Sequence, residues 1–551
     1  MQPSDPLKIR PAVGLVLAEI VLIFAAFFLQ GAWPVPDSNE PHYLSKAIHY
    51  WNADWLRGDF FMETPGVHRV FDVGFGWLSL WLAPTALAWT GRALTWLLLA
   101  WAWRRLSWAI VPRPGCAVLT ALLFGWLTEN CHMAGEWVIG GVEAKGFAYV
   151  LVFLGLEAIV RNRWNRGLLC LGGASAIHVV VGGWSAVAAA VGWLRLGLRP
   201  RETTTDAAPS LRLLWPGILG GFVLALPGLL PGLSLDWGVD RETLFKAHEI
   251  YVFQRLPHHL TVTGMQPWFV VRMAMLCGFW LLLGRWERRC TVSASDAGHL
   301  ARFRAFVAGA VMLSLVGAAI SGLAVVQRGL AAELLRFYWF RLTDIVVPMA
   351  VALESVWLLV GVGRASVLVG AADRTSERAK SWRSGRWPKR LGWALAIAVA
   401  GSQVGIHASE RVRPGFARSE KMAKPADWIA ACEWVARSGE IPRDALFLVP
   451  RASQTFSWHS RHGNVVTWKD VPQSAEGLVA WWRRIEDIHG TGQRPPAPAW
   501  HGSLSELSEG RLRELGRKYG ATFLITERTE ALLKLDLIYE NSTYVIYRLQ
   551  P

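Results

Sequence analysis

An α-helical membrane protein of many spans, carrying a small α/β domain at its C-terminal end, is the fold class predicted by three observations. The mean hydropathy is +0.27. Only 18% of the 551 residues are charged, where a soluble globular chain carries about a quarter. Apolar runs recur along the first three quarters of the chain, several of them near the ~20 residues a helix needs to cross a bilayer core. From Ser409 onward charge, proline and alternating apolar residues return. The sequence therefore divides into a transmembrane region, 1–408, and a soluble region, 409–551.

Hydropathy places spans at about 11–30, 91–110, 115–127, 146–160, 168–181, 183–196, 213–233, 268–284, 305–326, 343–361 and 391–408, about eleven crossings. The segment Val70 to Trp89 is apolar enough to cross, but a full span there would invert the charge pattern that follows, so it reads as a partly inserted helix. The pair 168–181 and 183–196 has basic flanks on both sides, which predicts a hairpin with its tip near His178 to Trp184.

The net charge of +15 would suggest nucleic acid in a soluble protein. Here the basic residues sit in short loops between apolar runs, which is a topology signal. Lys8, Arg10, Arg104-Arg105, Arg161, Arg163, Arg166, Arg195, Arg199, Arg201, Arg285, Arg288, Arg289 and the stretch Arg374 to Arg390 all fall on one side. That side is predicted to be the cytoplasm, with the N-terminus in it and the C-terminal domain outside the plasma (inner) membrane. Six scattered cysteines without a CxxC pair indicate neither a disulfide framework nor a zinc site. The apolar stretch Pro11 to Gln30 lacks a small-residue cleavage site and reads as an uncleaved first span.

Four polar segments then share the outer face: 31–70, 128–145, 234–267 and 327–342. In the first, Asn39 as N-cap and Pro41 in the first turn predict a helix from about Glu40 to Arg57. Its apolar residues Tyr43, Leu44, Ala47, Ile48, Trp51 and Trp55 share one face, so it should lie in the membrane interface. Asp37 and Glu40 stand at its start, placed either to meet a lipid headgroup or simply to favour the helix dipole.

The segment Asp37-Ser-Asn-Glu40-Pro-His-Tyr43 and the helix behind it resemble an element of the GT-C class of membrane glycosyltransferases, which includes oligosaccharyltransferase catalytic subunits, protein O-mannosyltransferases and aminoarabinose transferases. The resemblance extends to a cytoplasmic N-terminus, about eleven spans and an outward C-terminal domain. It implies a catalytic acid at Asp37 or Glu40 and a second acid in the next outer loop. Thr128 to Gly146 supplies Glu136 and Glu143 for that place, where boundary charges are the plain alternative. Gly140-Gly141 there would let the backbone approach a ligand closely.

Arg255, His258 and His259 close the third segment. They suit a phosphate or a solvated boundary loop, and two adjacent histidines alone do not make a metal site. In the fourth, Arg336 and Arg341 lie among aromatics on the side where arginine is disfavoured. Their guanidinium groups are suited to the phosphate of a polyprenyl donor, or to snorkelling into headgroups. An acid facing a cationic clamp is what inverting sugar transfer from a lipid phosphate needs. The resemblance allows a divalent cation in place of part of the clamp; metal, donor sugar and acceptor are not readable.

The soluble region alternates helices at Ala426 to Arg437, Ala475 to Ile488 and Leu504 to Tyr519 with strands at Ala445 to Val449, Asn464 to Thr467, Thr522 to Thr526 and Thr543 to Leu549. His459, Arg461, His462, Trp468 and Lys469 read as ordinary polar surface, with reach over the membrane site as the alternative. The functional expectation is a glycosyltransferase moving sugar from a polyprenyl phosphate to an acceptor at the outer face. A transporter or flippase of lipid-linked saccharides, supported by Glu19, His178, Glu354 and His407 in or near spans, and a noncatalytic scaffold are the alternatives.

Overall fold

The computed structural model describes residues 11–198, 208–287, 294–372, 386–412, 415–492 and 499–549. Lys8, Arg10, Arg199, Arg201, Arg288, Arg289 and 374–385 of the basic stretch lie outside the described residues.

Helices stand at each of the eleven predicted positions: α1 Val13–Gly31, α3 Pro84–Ile110, α4 Cys116–Asn130, α5 Ala144–Val160, α6 Trp164–Ile177, α7 Val179–Gly197, α8 Leu211–Ser234, α10 Pro267–Glu287, α11 Ala294–Leu323, α13 Arg341–Ala372 and α14 Arg386–Val412. Seven of them (α1, α7, α8, α10, α11, α13 and α14) contain a stretch long and apolar enough to cross a membrane among the described residues. The protein is a polytopic helical membrane protein. Residues 70–89 are not one helix: Arg69–Gly74 and the 3₁₀ turn Gly76–Leu80 end before Pro84 starts α3, because proline fits a first turn and interrupts an interior. Between α6 and α7 only His178 leaves helical geometry, at φ −146° and ψ 100°. A Cβ on Gly182 would sit 2.1 Å from the Ser175 nitrogen, so the two helices fold back on each other as a hairpin with its tip at His178.

Charges inside the bundle are paired. Glu19 accepts from Arg104 Nε at 2.9 Å, Trp108 Nε1 at 2.7 Å and the Gly115 amide at 2.8 Å. Glu354 takes Arg304 and the Trp280 indole. Glu157 holds Arg105 and Arg161. Each pair spares a carboxylate the cost of standing alone in an apolar medium.

After α14 come α15 Pro425–Arg437, β1 Leu446–Leu448, β2 Gly463–Asn464, α16 Ala475–His489, α17 Glu509–Tyr519, β3 Ala521–Glu527, β4 Asp536–Glu540 and β5 Tyr544–Arg548. The strands form one mixed sheet in the order β2-β1-β3-β5-β4, parallel from β2 to β3 and antiparallel beyond. The period of two sorts its residues. Leu448, Leu524, Val545 and Tyr547 pack with α16 and α17 on one face, while Phe447, Phe523, Ile525, Tyr544 and Ile546 pack with α15 on the other.

This α/β unit is seated on the polar loops of the bundle. Asp59 Oδ2 accepts the Asn464 amide and side-chain Nδ2, both at 2.9 Å. Arg255 Nε donates to the Trp468 carbonyl at 2.9 Å, and the Ala475 amide donates to Asp236 at 3.1 Å. The helix α2 Glu40–Trp51 is covered as a result. Its apolar face is turned to protein: Leu44, Ala47 and Ile48 are buried against Phe71, Phe75, Ala88 and Trp458, while Tyr50 and Trp51 at its end are exposed. The helix does not reach Arg57, because Asn52 turns extended and Leu56 takes φ 56°.

Candidate active site

Two loops meet at the N-terminus of α2. Asp37 is buried, and its two oxygens accept the Ser38 amide at 2.7 Å and the Gly141 amide at 2.9 Å. Each oxygen keeps a lone pair for a further partner. Glu40 is different. Arg92 grips it bidentately, Nε and Nη2 each at 2.6 Å, and the Val142 and Asp37 amides fill the remaining positions at 2.9 and 2.7 Å. Saturated in this way, the Glu40 carboxylate holds the Asp37 backbone in place and has no capacity left for a substrate. Asn39 does not cap α2 with its side chain; its Nδ2 donates to Glu143 at 2.7 Å.

Gly141 explains the close approach of the two loops. A Cβ there would stand 2.8 Å from the Asp37 Cβ and 3.0 Å from the Glu40 carboxyl carbon, so the missing side chain makes room for the acids and not for a ligand. Gly141→Ala is expected to lower stability by about 1–3 kcal/mol as its methyl group is forced against these acids, read as a fall in the thermal unfolding midpoint of the purified protein.

Asp37 and Glu136 line one cavity of about 220 Å³, shared with Gln30, Glu129, His132 and Arg418. Glu136 is buried, and neither of its oxygens accepts a hydrogen bond among the described residues. It is held by charge, from Arg341 Nε at 3.1 Å and Lys145 Nζ at 3.6 Å. Lys145 also lies 3.5 Å from Glu143, whose pKa burial raises against the pull of that ammonium. The loop is pinned by Asp344, which accepts the amides of Met133, Ala134 and Glu136.

Behind Glu136 the cations gather. Arg341 lies 3.6 Å from the centre of the Tyr338 ring. His259 bonds the Ala134 carbonyl through Nδ1 and stacks on His258 at 4.1 Å between ring centres. Burial, with the charges of Arg341 and Lys469 nearby, drives the His259 pKa well down, and Arg255 and Lys469 act alike on His258. Lys469 is pushed down to about 8 by burial and by Arg255. Arg255 and Arg341 thus make one electropositive region, to which the α/β unit adds Lys469, with the imidazoles of His258 and His259 kept neutral beside them.

Arg336 does not join them. Its Nη1 is bound to Asp236 at 3.0 Å and to His248 at 2.7 Å, and it does not line the cavity that holds Asp37. Of the basic run in the α/β unit, Trp468 and Lys469 reach the site, while His459 lies near Glu420 and His462 packs edge-on against Phe447. Sequence reasoning missed Arg418, which enters the cavity from beyond the last span and lies 4.0 Å from the Trp33 ring centre. It also missed the anchoring of Glu129 by His407 Nε2 at 2.9 Å and Gln403 at 3.2 Å. Among the described residues no group of three or more His, Cys, Asp and Glu is arranged to hold a metal ion, so these side chains do not by themselves supply a metal's ligand set.

A family model described as a domain of unknown function (DUF6798) matches residues 426–488. No curated protein matches the sequence. The chain is similar to the archaeal oligosaccharyltransferase AglB from Archaeoglobus fulgidus, solved with an inhibitory peptide and a dolichol-phosphate, at 12% identity and TM-score 0.44 over 93% of this chain and 69% of that one. It is also similar to ArnT from Cupriavidus metallidurans bound to undecaprenyl phosphate, at 12% identity and TM-score 0.41 over 98% of each chain.

Proposed function

We propose that this protein is a membrane glycosyltransferase that moves a sugar from a polyprenyl-phosphate donor to an acceptor on the side of the membrane that carries the α/β unit. The observation that carries this reading is the single cavity lined by Asp37 and Glu136, backed through Glu136 by Arg341 and Lys145. Asp37 takes the proton of the acceptor hydroxyl or amine. The freed lone pair bonds to the anomeric carbon from the face opposite the phosphate. The carbon–oxygen bond to phosphate breaks, and its electron pair leaves on the polyprenyl phosphate, whose charge meets the cationic group of Arg341, Lys145, Arg255 and Lys469. Glu136 keeps Arg341 and Lys145 aimed, and Glu40 with Arg92 fixes the base.

The distribution of charge along the helices supports this orientation. Lys145 and Arg161 bracket α5, a separation of roughly 24 Å along its axis, so the cluster of Arg105 and Arg161 around Glu157 lies at the end remote from the site. Positive charge at that end supports a cytoplasmic position for it, with the site outside the plasma membrane. The transporter alternative needs mobile charges within the spans, whereas Glu19 and Glu354 are each tied to an arginine and an indole.

The clamp is tested by pH. Lys469 carries its charge at pH 7 and loses it above its pKa of about 8, so the KM for donor is expected to rise about sixfold between pH 7 and 9, as a charge-assisted contact worth about 1.5 kcal/mol is lost. In Lys469→Met the KM should be high throughout and the limb absent, and in Lys469→Arg it should stay low to pH 9. A flat donor KM in the unaltered protein would remove Lys469 from the clamp.

A further inference from the structure

The α/β unit holds a second group of aromatic and basic side chains that the transfer reaction does not use. Trp468, Trp481, Trp482 and Trp500 form a continuous cluster, with neighbouring ring centres 5.5 to 6.3 Å apart. Trp481 and Trp482 are buried and belong to the core, whereas Trp468 and Trp500 are only half-buried. Their planes meet at 66°. The Arg451 guanidinium stands in that angle, 5.2 Å from each ring centre.

Arg451 has no carboxylate partner among the described residues. Burial lowers its pKa, with no acid among the described residues near enough to oppose it. Next to it His489 is 3% exposed, and its Nε2 has no hydrogen-bond partner among the described residues. Burial, helped by Arg451 and His501, holds that imidazole neutral with a pKa of about 3. The two indoles flank the guanidinium, whose N–H groups donate to no partner among the described residues and are free for a ligand. An arginine partly withdrawn from water and without an acid is poised for an anion from outside. The outer parts of Trp468 and Trp500, left accessible beside the guanidinium, suit the apolar face of a sugar ring.

We infer that Trp468, Trp500, Arg451 and His489 form a binding site for an acidic glycan, with a sugar ring against the indoles and its carboxylate on the Arg451 edge. Trp468 also stands 5.2 Å from Arg255 of the electropositive region, so the site adjoins that region. An acidic saccharide held there is the acceptor; that role rests on the proposed function, whereas binding itself does not.

The test is calorimetry on the full-length protein in detergent, with a tetragalacturonate, its fully methyl-esterified form and inorganic phosphate as probes. The charged tetramer should bind at least tenfold more tightly than its ester. Arg451→Gln should remove that preference, Trp500→Ala should weaken both tetramers, and Asp37→Asn should leave binding unchanged. Equal binding of tetramer and ester, insensitivity to Arg451→Gln, or phosphate competing with affinity equal to the tetramer would overturn the inference. Because the readout is binding, an inactive protein that still discriminates the tetramers refutes the transferase reading and leaves this site standing.

Discussion

Asp37→Asn is expected to lower sugar transfer by about 100- to 10,000-fold, the range a positioned general base contributes, while the protein stays folded in the membrane. The substitution is close to isosteric. It keeps one oxygen to accept the Ser38 amide at the place where the carboxylate now does, and it sacrifices the bond from the Gly141 amide, a loss of about 1 kcal/mol. Chemistry suffers far more than structure, because an amide cannot take the acceptor's proton. Donor KM should change little, since the cations proposed to meet the phosphate are untouched. Turnover and melting temperature measured on the same purified sample separate the two effects, and retained turnover would take Asp37 out of the reaction.

Arg92→Met is expected to do the reverse. Arg92 and Glu40 are both fully buried, with side chains 0% exposed. Removing the guanidinium strands a carboxylate in an apolar surround, at a cost of about 3–5 kcal/mol. The loss falls on the junction that orders Asp37, since the same carboxylate accepts the Asp37 amide. Thermal unfolding in detergent should show a large fall in midpoint. The pair Arg92→Met with Glu40→Gln should recover much of it, because no charge is then left unpaired and an amide oxygen remains to accept from the backbone amides that Glu40 now serves. Equal stability of the single and double variants would show that the pair is not what holds this junction.

Much of the helical framework was legible because a membrane imposes one rule on every span: an apolar run of fixed minimum length. The site was legible only where chemistry and position coincide along the chain. Asp37 could be singled out from its place after the first span, but the different fate of Glu40 three residues on depends on Arg92, which in the sequence is only a charge inside an apolar run. The separation of Arg336 from Arg341 is of the same kind. Five residues apart, they look alike in sequence, and the divergence comes from Asp236, a hundred residues earlier, which captures one of them. The amphipathic face of α2 was read correctly as apolar and assigned to the wrong partner, since periodicity says that a face is buried and not whether lipid or protein buries it. Lys469 was lost for a similar reason: a lysine in a polar run looks solvated until the unit carrying it is seated on the bundle. β4 has mostly half-exposed or exposed residues and so offers little alternation to read.

The most direct measurement uses the purified protein in nanodiscs loaded with extracted lipid-linked sugars, following the fate of the lipid carrier. The account predicts that polyprenyl phosphate is released as sugar is transferred with inversion at the anomeric carbon, and that none is released by Asp37→Asn. Lipid-linked sugar that stays intact, or that only changes leaflet in the matching vesicle experiment, would contradict it.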